Sequence, residues 1–227
     1  MPHPADLLTV GLLVALEGLL SADNAMMLAV IVLGLPARSR RKALRYGIVG
    51  AFAFRTLATL LAIYLIRLGW VKLAGAAYLL YLAARHFSRG GTAEERRRPV
   101  PARPTLGLSA FWVVVAKVEM TDIVFAMDSI LVAVAMSSKL WVVLSGGILG
   151  IVMMRIVVGQ LLSFIERYPP LVDAAFVAIA WVALKLFLEY LEWAGYIGFE
   201  LPRWVSLGGV GVIFLAAFLY ARQQAVR

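Results

Sequence analysis

A run of about twenty apolar residues is what a helix needs to cross a lipid bilayer, and this chain is built largely of such runs. Seven can be drawn, at 7–34, 44–66, 70–87, 107–135, 140–165, 170–191 and 204–222. Hydrophobic residues make up 63% of the 227, charged residues 15%, and the mean hydropathy is +0.89. Soluble domains carry roughly half apolar and a quarter charged residues. The expected fold class is therefore all-α, a polytopic membrane protein of seven transmembrane helices forming one membrane domain over 1–227.

The net charge of +9 is not spread as a nucleic-acid-binding face. Arginine and lysine gather in short connections between apolar runs. Pro36–Arg45 holds Arg38, Arg40, Arg41, Lys42 and Arg45, and the Gly-, Pro- and Arg-rich linker 88–106 follows Arg85 with Arg89, Arg96, Arg97, Arg98 and Arg103. With Arg167, Arg222 and Arg227, fourteen basic residues fall on one side; Arg67, Lys72, Lys139 and Arg203 fall on the other. This bias predicts a multi-pass protein of the cell (plasma or inner) membrane, amino terminus outside and carboxyl terminus cytoplasmic. The first apolar run lacks a basic leader and contains Glu17 and Asp23, so it reads as a retained helix. The chain has no cysteine, which excludes disulfides, thiolate metal sites and cysteine nucleophiles. Its two histidines, His3 and His86, fall at segment edges.

The chain also repeats itself. Gly47-Ile48-Val49-Gly50 followed by Arg55 matches Gly147-Ile148-Leu149-Gly150 followed by Arg155, an offset of 100. Repeat one spans about 7–87 and repeat two about 107–191, each with three helices, and a seventh helix follows at 204–222. An odd number of spans makes the second copy enter the membrane inverted, as transporters built on inverted repeats do.

Each copy carries an acidic motif inside its first apolar run. Glu17-Gly-Leu-Leu-Ser-Ala-Asp23-Asn24 is answered 105 residues later by Asp122-Ile-Val-Phe-Ala-Met-Asp128-Ser129, with Glu119 one turn earlier. An ionisable residue at mid-bilayer costs roughly 2.5 to 3.5 kcal/mol. Residues seven apart share a helix face, which aligns Glu17 with Asn24 and Asp122 with Ser129. Ser, Asp and Asn compete with helical hydrogen bonding, so both motifs are expected to be locally irregular, with a break at Ser21–Asn24. Five acids face three bases in apolar surroundings, Arg55, Lys117 and Arg155, leaving −2 for a divalent cation to neutralise. These bases are expected to act as counter-charges or gates. The bland alternative has each acid paired with a buried base. Lys185, Asp173 and Glu189 are expected at interfaces or against loops, and the Arg96–Arg98 run at lipid headgroups.

The expected cation ligands are Glu17, Asp23, Asn24, Glu119, Asp122, Asp128 and Ser129. Oxygen donors without thiolate or imidazole favour Mn2+, Ca2+ or Mg2+. Met26, Met27, Met120 and Met127 beside the acids would tilt selection towards Mn2+ if a thioether took part, although Met more often simply packs.

At these residues the chain resembles the TerC family of integral membrane proteins, within the LysE superfamily. The likeness runs from about Asp6 to Arg222 and rests on Glu17 with Ser21-Ala-Asp23-Asn24, on Glu119 with Asp122, Phe125 and Asp128-Ser129, and on the Gly-Ile-x-Gly and Arg pairs. It implies a manganese exporter whose cation path uses Glu17, Asp23, Asn24, Glu119, Asp122 and Asp128. The tellurium resistance in the family's name is a phenotype, and an oxyanion suits a carboxylate-rich site poorly. The expected function is Mn2+ efflux by alternating access, with protons as the expected coupling ion, the metal as cargo and no cofactor or nucleic-acid partner. Its rivals are a calcium–proton antiporter, an intramembrane aspartyl hydrolase and a non-catalytic membrane-assembly factor. No Gly-x-Gly-Asp sequence accompanies either acidic motif, so an enzyme is not expected.

Overall fold

The computed structural model describes residues 4–20, 22–61, 68–89, 92–97, 99, 101–105, 107–137, 139–199 and 202–225; side chains at 19, 20, 22, 23, 96, 128, 131, 203, 207, 224 and 225 lie outside the description. Among the described residues the chain is helical: α1 (Pro4–Leu20), α2 (Ala22–Val32), α3 (Ala37–Leu60), α4 (Trp70–Phe87), α5 (Ala93–Arg97), α6 (Ala110–Met136), α7 (Leu140–Arg167), α8 (Pro170–Trp193) and α9 (Arg203–Ala225). Among these residues extended pairing is limited to one isolated bridge between Thr105 and Leu108. The helices gather into two compact units, residues 1–67 with 101–161 and residues 68–100 with 162–227.

In the first unit, α3 packs on α6, and α2 also lies against α6. Buried Ala58 and Ile130 meet there, flanked by Phe54, Ala126 and Val134. Residues 24–30 are all buried, so α2 is an interior helix. The basic stretch after it differs from expectation. Helix α3 starts at Ala37, so Arg38, Arg40, Arg41, Lys42 and Arg45 occupy its first turns rather than a loop. Proline fixes the entry at Pro36, and nothing in the following residues opposes a helix. Arg40 turns back over the end of α2, donating from Nε to the Leu35 carbonyl at 2.9 Å and from Nη2 to that of Leu33 at 3.4 Å. Carbonyls that leave the helical ladder thereby gain a donor.

Helix α6 corrects a second expectation. It runs unbroken from Ala110 to Met136, with Glu119, Asp122 and Ser129 on regular helix. The Ser129 hydroxyl donates back to the Ala126 carbonyl at 3.0 Å, so its polar group is satisfied without opening the helix. In the first motif the expected break includes Ser21, which lies outside the described residues; Asn24 sits in the first turn of α2.

The second unit is organised on α8, which packs along α4 and carries α9 on another side. His86 falls in the last turn of α4, at the segment edge, and is nonetheless buried, with only 2% of it exposed. Its Nε2 lies 2.8 Å from Asp173 Oδ1, its ring stacks on Phe176 at 3.9 Å, and Arg97 of α5 donates to the other Asp173 oxygen at 2.6 Å. Glu189 pairs with Lys72 at 2.9 Å and with Lys185, one turn away, at 3.3 Å. Asp173 and Glu189 thus tie helices together, where interfaces or loops were expected, and Lys185 supports Glu189 from the same helix. The ties form because α4 places His86 and Lys72 opposite α8.

By length and composition, three helical stretches among the described residues suffice to cross a membrane: Leu140–Arg167, Pro170–Trp193 and Trp204–Gln223. Helix α6 is long enough but contains Lys117, Glu119, Asp122 and Asp128, so the charges that mark it as interesting also remove it from that set. Helices α1 and α2, at 17 and 11 residues, divide an apolar run that the sequence presents as one.

Candidate functional site

The first unit brings most of the predicted polar residues together. Glu17 comes from the last turn of α1, Asn24 from the first turn of α2, Arg55 from the C-terminal part of α3, Asp122 and Ser129 from one face of α6, and Arg155 from α7. Asn24, Arg55, Asp122, Ser129 and Arg155 are buried.

Two guanidinium groups organise the cluster. Arg55 Nη2 donates to Glu17 Oε2 at 2.7 Å and to the Ser129 hydroxyl, while Nη1 reaches the Gly147 carbonyl at 3.2 Å. Arg155 Nη2 donates to Asp122 Oδ2 at 2.8 Å and to the Gly47 carbonyl at 3.2 Å. The two arginines therefore exchange equivalent contacts. Each holds one of the two acids and bonds a glycine carbonyl, and the two glycines occupy matching positions of the Gly-Ile-x-Gly sequences. Glu17 and Asp122 are both matched by arginine, so the pairing alternative describes these two acids correctly. Removing one member of such a buried pair costs about 3–5 kcal/mol.

Missing Cβ atoms make this approach possible. A methyl group on Gly50 would collide with the Glu119 carboxylate, and one on Gly150 would collide with the Glu17 side chain. At Gly147 the intruding Cβ would stand 2.8 Å from Arg55 Cδ. Glu119 is half-buried beside Gly47 and Gly50, and its Oε1 has no hydrogen-bond partner among the described residues. Nε and Nη1 of Arg155 are likewise unmatched there.

Two small cavities adjoin the pairs. One is lined by Glu17, Arg55, Thr59, Ser129 and Gly147 with apolar neighbours, the other by Glu17, Asn24, Arg55, Asp122 and Met154 with theirs. Glu17 and Arg55 line both. Passing from the second cavity to the first, the lining advances from Ala51 to Thr59 on α3 and from Asp122 to Ala133 on α6. On α7 it retreats from Met154 to Val143, and on α1 it retreats from Glu17 to Leu13. The cavities are stacked along the helices, with the Glu17–Arg55 pair at their junction.

Other predicted residues take different places. Lys117 and Glu119 line neither cavity. The side chains of Asp23 and Asp128 lie outside the described residues. Among the described residues no three His, Cys, Asp or Glu side chains are grouped to hold a metal ion. Met26 and Met27 are buried in α2 without lining either cavity, and Met120 is 49% exposed. The methionine that does enter is Met154, whose sulfur accepts a hydrogen bond from Asn24 Nδ2 at 3.3 Å. The same nitrogen donates to Asp122 Oδ1 at 2.9 Å. Sequence reading missed Met154 because it lies 25 residues beyond the second motif, on another helix; its neighbour Arg155 was the available signal.

The family described as integral membrane protein TerC family matches residues 3–226. The chain belongs to the TerC family. This TerC protein is 43% identical over 213 residues to the membrane protein YceF of Bacillus subtilis (strain 168), an alignment covering 92% of this chain and 78% of YceF. It is 38% identical over 201 residues to the membrane protein YkoY of the same organism, covering 79% of this chain and 59% of YkoY. It is 26% identical over 229 residues to the inner membrane protein YgdQ of Escherichia coli (strain K12), covering 92% and 94% of the two chains. No solved structure matches it. The TerC chain is thus an integral membrane protein, and the acid–arginine cluster lies inside the matched region.

Proposed function

We propose that this TerC protein is a secondary transporter that expels Mn2+ from the cytoplasm in exchange for protons, and that it is not an enzyme. The observation that carries the reading is the convergence of both acidic motifs on two stacked cavities joined at the Glu17–Arg55 pair. Carboxylates removed from water bind either a proton or a hard cation, and exchange between the two is the chemistry an antiporter needs. Glu17, Asn24, Asp122 and Ser129 offer oxygen atoms to the cargo at these cavities, with Asp23, Glu119 and Asp128 completing the path.

The arginines stand in for the cargo when it is absent. Arg55 and Arg155 neutralise Glu17 and Asp122, so an arriving dication displaces a guanidinium instead of meeting a bare charge. Among the described residues Arg155 keeps unmatched donors and Glu119 keeps an unmatched acceptor beside the same Gly47. Glu119 is then an alternative partner for Arg155 while Asp122 turns to the cation. Inverted repeats within a seven-span bundle explain the exchanged contacts: Arg55 bonds Gly147, and Arg155 bonds Gly47. Opposed lining order on α1 and α6, and on α3 and α7, supports the same arrangement. Rocking of one repeat against the other opens the two cavities in turn, with the Glu17–Arg55 pair as the gate.

Purified protein in liposomes should move Mn2+ against an imposed proton gradient. Asp122→Ala and Glu17→Gln should each lower the flux at least about tenfold, since each strips a charged ligand from the path. Wild-type flux in both variants, with the protein still in the membrane, would refute the proposal.

A further inference from the structure

Met154, Asp122 and Asn24 form a mixed sulfur and oxygen corner on the cavity shared by α2, α6 and α7. One amide nitrogen, Asn24 Nδ2, donates both to Asp122 Oδ1 at 2.9 Å and to Met154 Sδ at 3.3 Å. A carboxylate oxygen and a thioether sulfur therefore both point at the same donor. Met154 and Asn24 are each 3% exposed and Asp122 6%, so few waters reach the point where they meet.

The geometry points to Met154 as the residue that lets this site prefer a transition-metal dication to Ca2+ and Mg2+. The inference rests on the transport reading and adds the residue that sets its selectivity. The positive end of the Asn24 amide holds the place that a cation takes. A half-turn of that amide exchanges its donor for its carbonyl oxygen, since the two ends have nearly the same size and shape. Asp122, Asn24 and Met154 then face the ion with two oxygens and a sulfur. Ca2+ and Mg2+ bind almost wholly through oxygen, and Mg2+ gives up its water reluctantly. Replacing one oxygen or water by a thioether penalises both, while a softer divalent ion keeps a usable bond to sulfur. The packing role of a buried methionine does not account for a sulfur that accepts an amide hydrogen bond at the edge of a cavity.

The test is Mn2+ flux into proteoliposomes with Ca2+ or Cd2+ as competitor, comparing wild type with Met154→Leu, which keeps volume and removes the sulfur. The half-inhibitory Ca2+ concentration should fall about tenfold in the variant, and the Cd2+ concentration should rise by a similar factor, as expected when a soft ligand is lost. Competition curves that match wild type overturn the selectivity role while leaving the transport reading intact. A wild-type protein that moves no Mn2+ fails the transport reading and takes this inference with it. If Met154→Leu turns over too slowly to measure, paramagnetic resonance of Mn2+ bound to the purified variant, with Ca2+ and Cd2+ as competitors, reads the same two ratios and decides in the same way.

Discussion

Gly50 and Gly150 have no room for a methyl group, because Glu119 crosses one and Glu17 the other. Overpacking of this kind typically destabilises by about 1–3 kcal/mol. Gly50→Ala and Gly150→Ala should each lower the thermal midpoint in detergent and depress Mn2+ flux. Gly159→Ala, on the same helix as Gly150, meets nothing within 4 Å. It should be neutral or stabilising by up to about 1 kcal/mol through helix propensity. Equal midpoints for all three variants would show that the glycines do not mark close approach. The repeated Gly-Ile-x-Gly pattern was visible in the sequence, but its purpose was not. Spacing says only that Gly47 and Gly50 recur at 147 and 150; the acids that fill the gaps, Glu119 at Gly50 and Glu17 at Gly150, come from distant parts of the chain. Even the bases divided in this way, since Arg55 and Arg155 hold acids at the cavities while Lys117 lines neither of them.

Among the elements, the link between α4 and α8 depends on a buried polar knot. Asp173 lies between His86 and Arg97, and the His86 side chain is 1% exposed. Hydrogen bonds to a charged partner contribute about 1.5–3 kcal/mol each. Asp173→Asn retains the shape, removes the charge, and should destabilise the protein by about 2 kcal/mol. In proteoliposomes the protein that remains folded should carry Mn2+ at the wild-type rate, because no residue of the knot lines either cavity. An unaltered midpoint counts against the knot as a structural tie. Apolar runs located the helices well, whereas helix ends were harder to read. The Arg-rich stretch after Pro36 read as a loop because charge was taken as solvent exposure, yet arginine is a good helix former. The second acidic motif read as irregular because Ser and Asp disfavour helix interiors. Helix α6 tolerates them because its neighbours supply the missing partners.

For the whole molecule, basic residues are the orientation signal, and the absence of cysteine makes it cheap to test. Arg103 is exposed in the linker. A single thiol introduced by Arg103→Cys should react with an impermeant maleimide only in inverted vesicles, where the cytoplasmic face is outward. Labelling in intact cells would place that linker outside and reverse the predicted direction of export.

By itself the sequence determined that the chain is helical and membrane-embedded, and its acidic motifs pointed to the TerC family. The first two follow from composition and the spacing of apolar runs, which act along the chain; the family is read from the likeness of its motifs. Tertiary structure alone decided which arginine meets which acid, where the cavities lie, and that Met154 joins the site in place of the methionines beside the motifs. Contacts between residues 92 to 130 positions apart, such as Arg55 with Gly147 or Asn24 with Met154, arise from packing and leave no periodic trace in the chain.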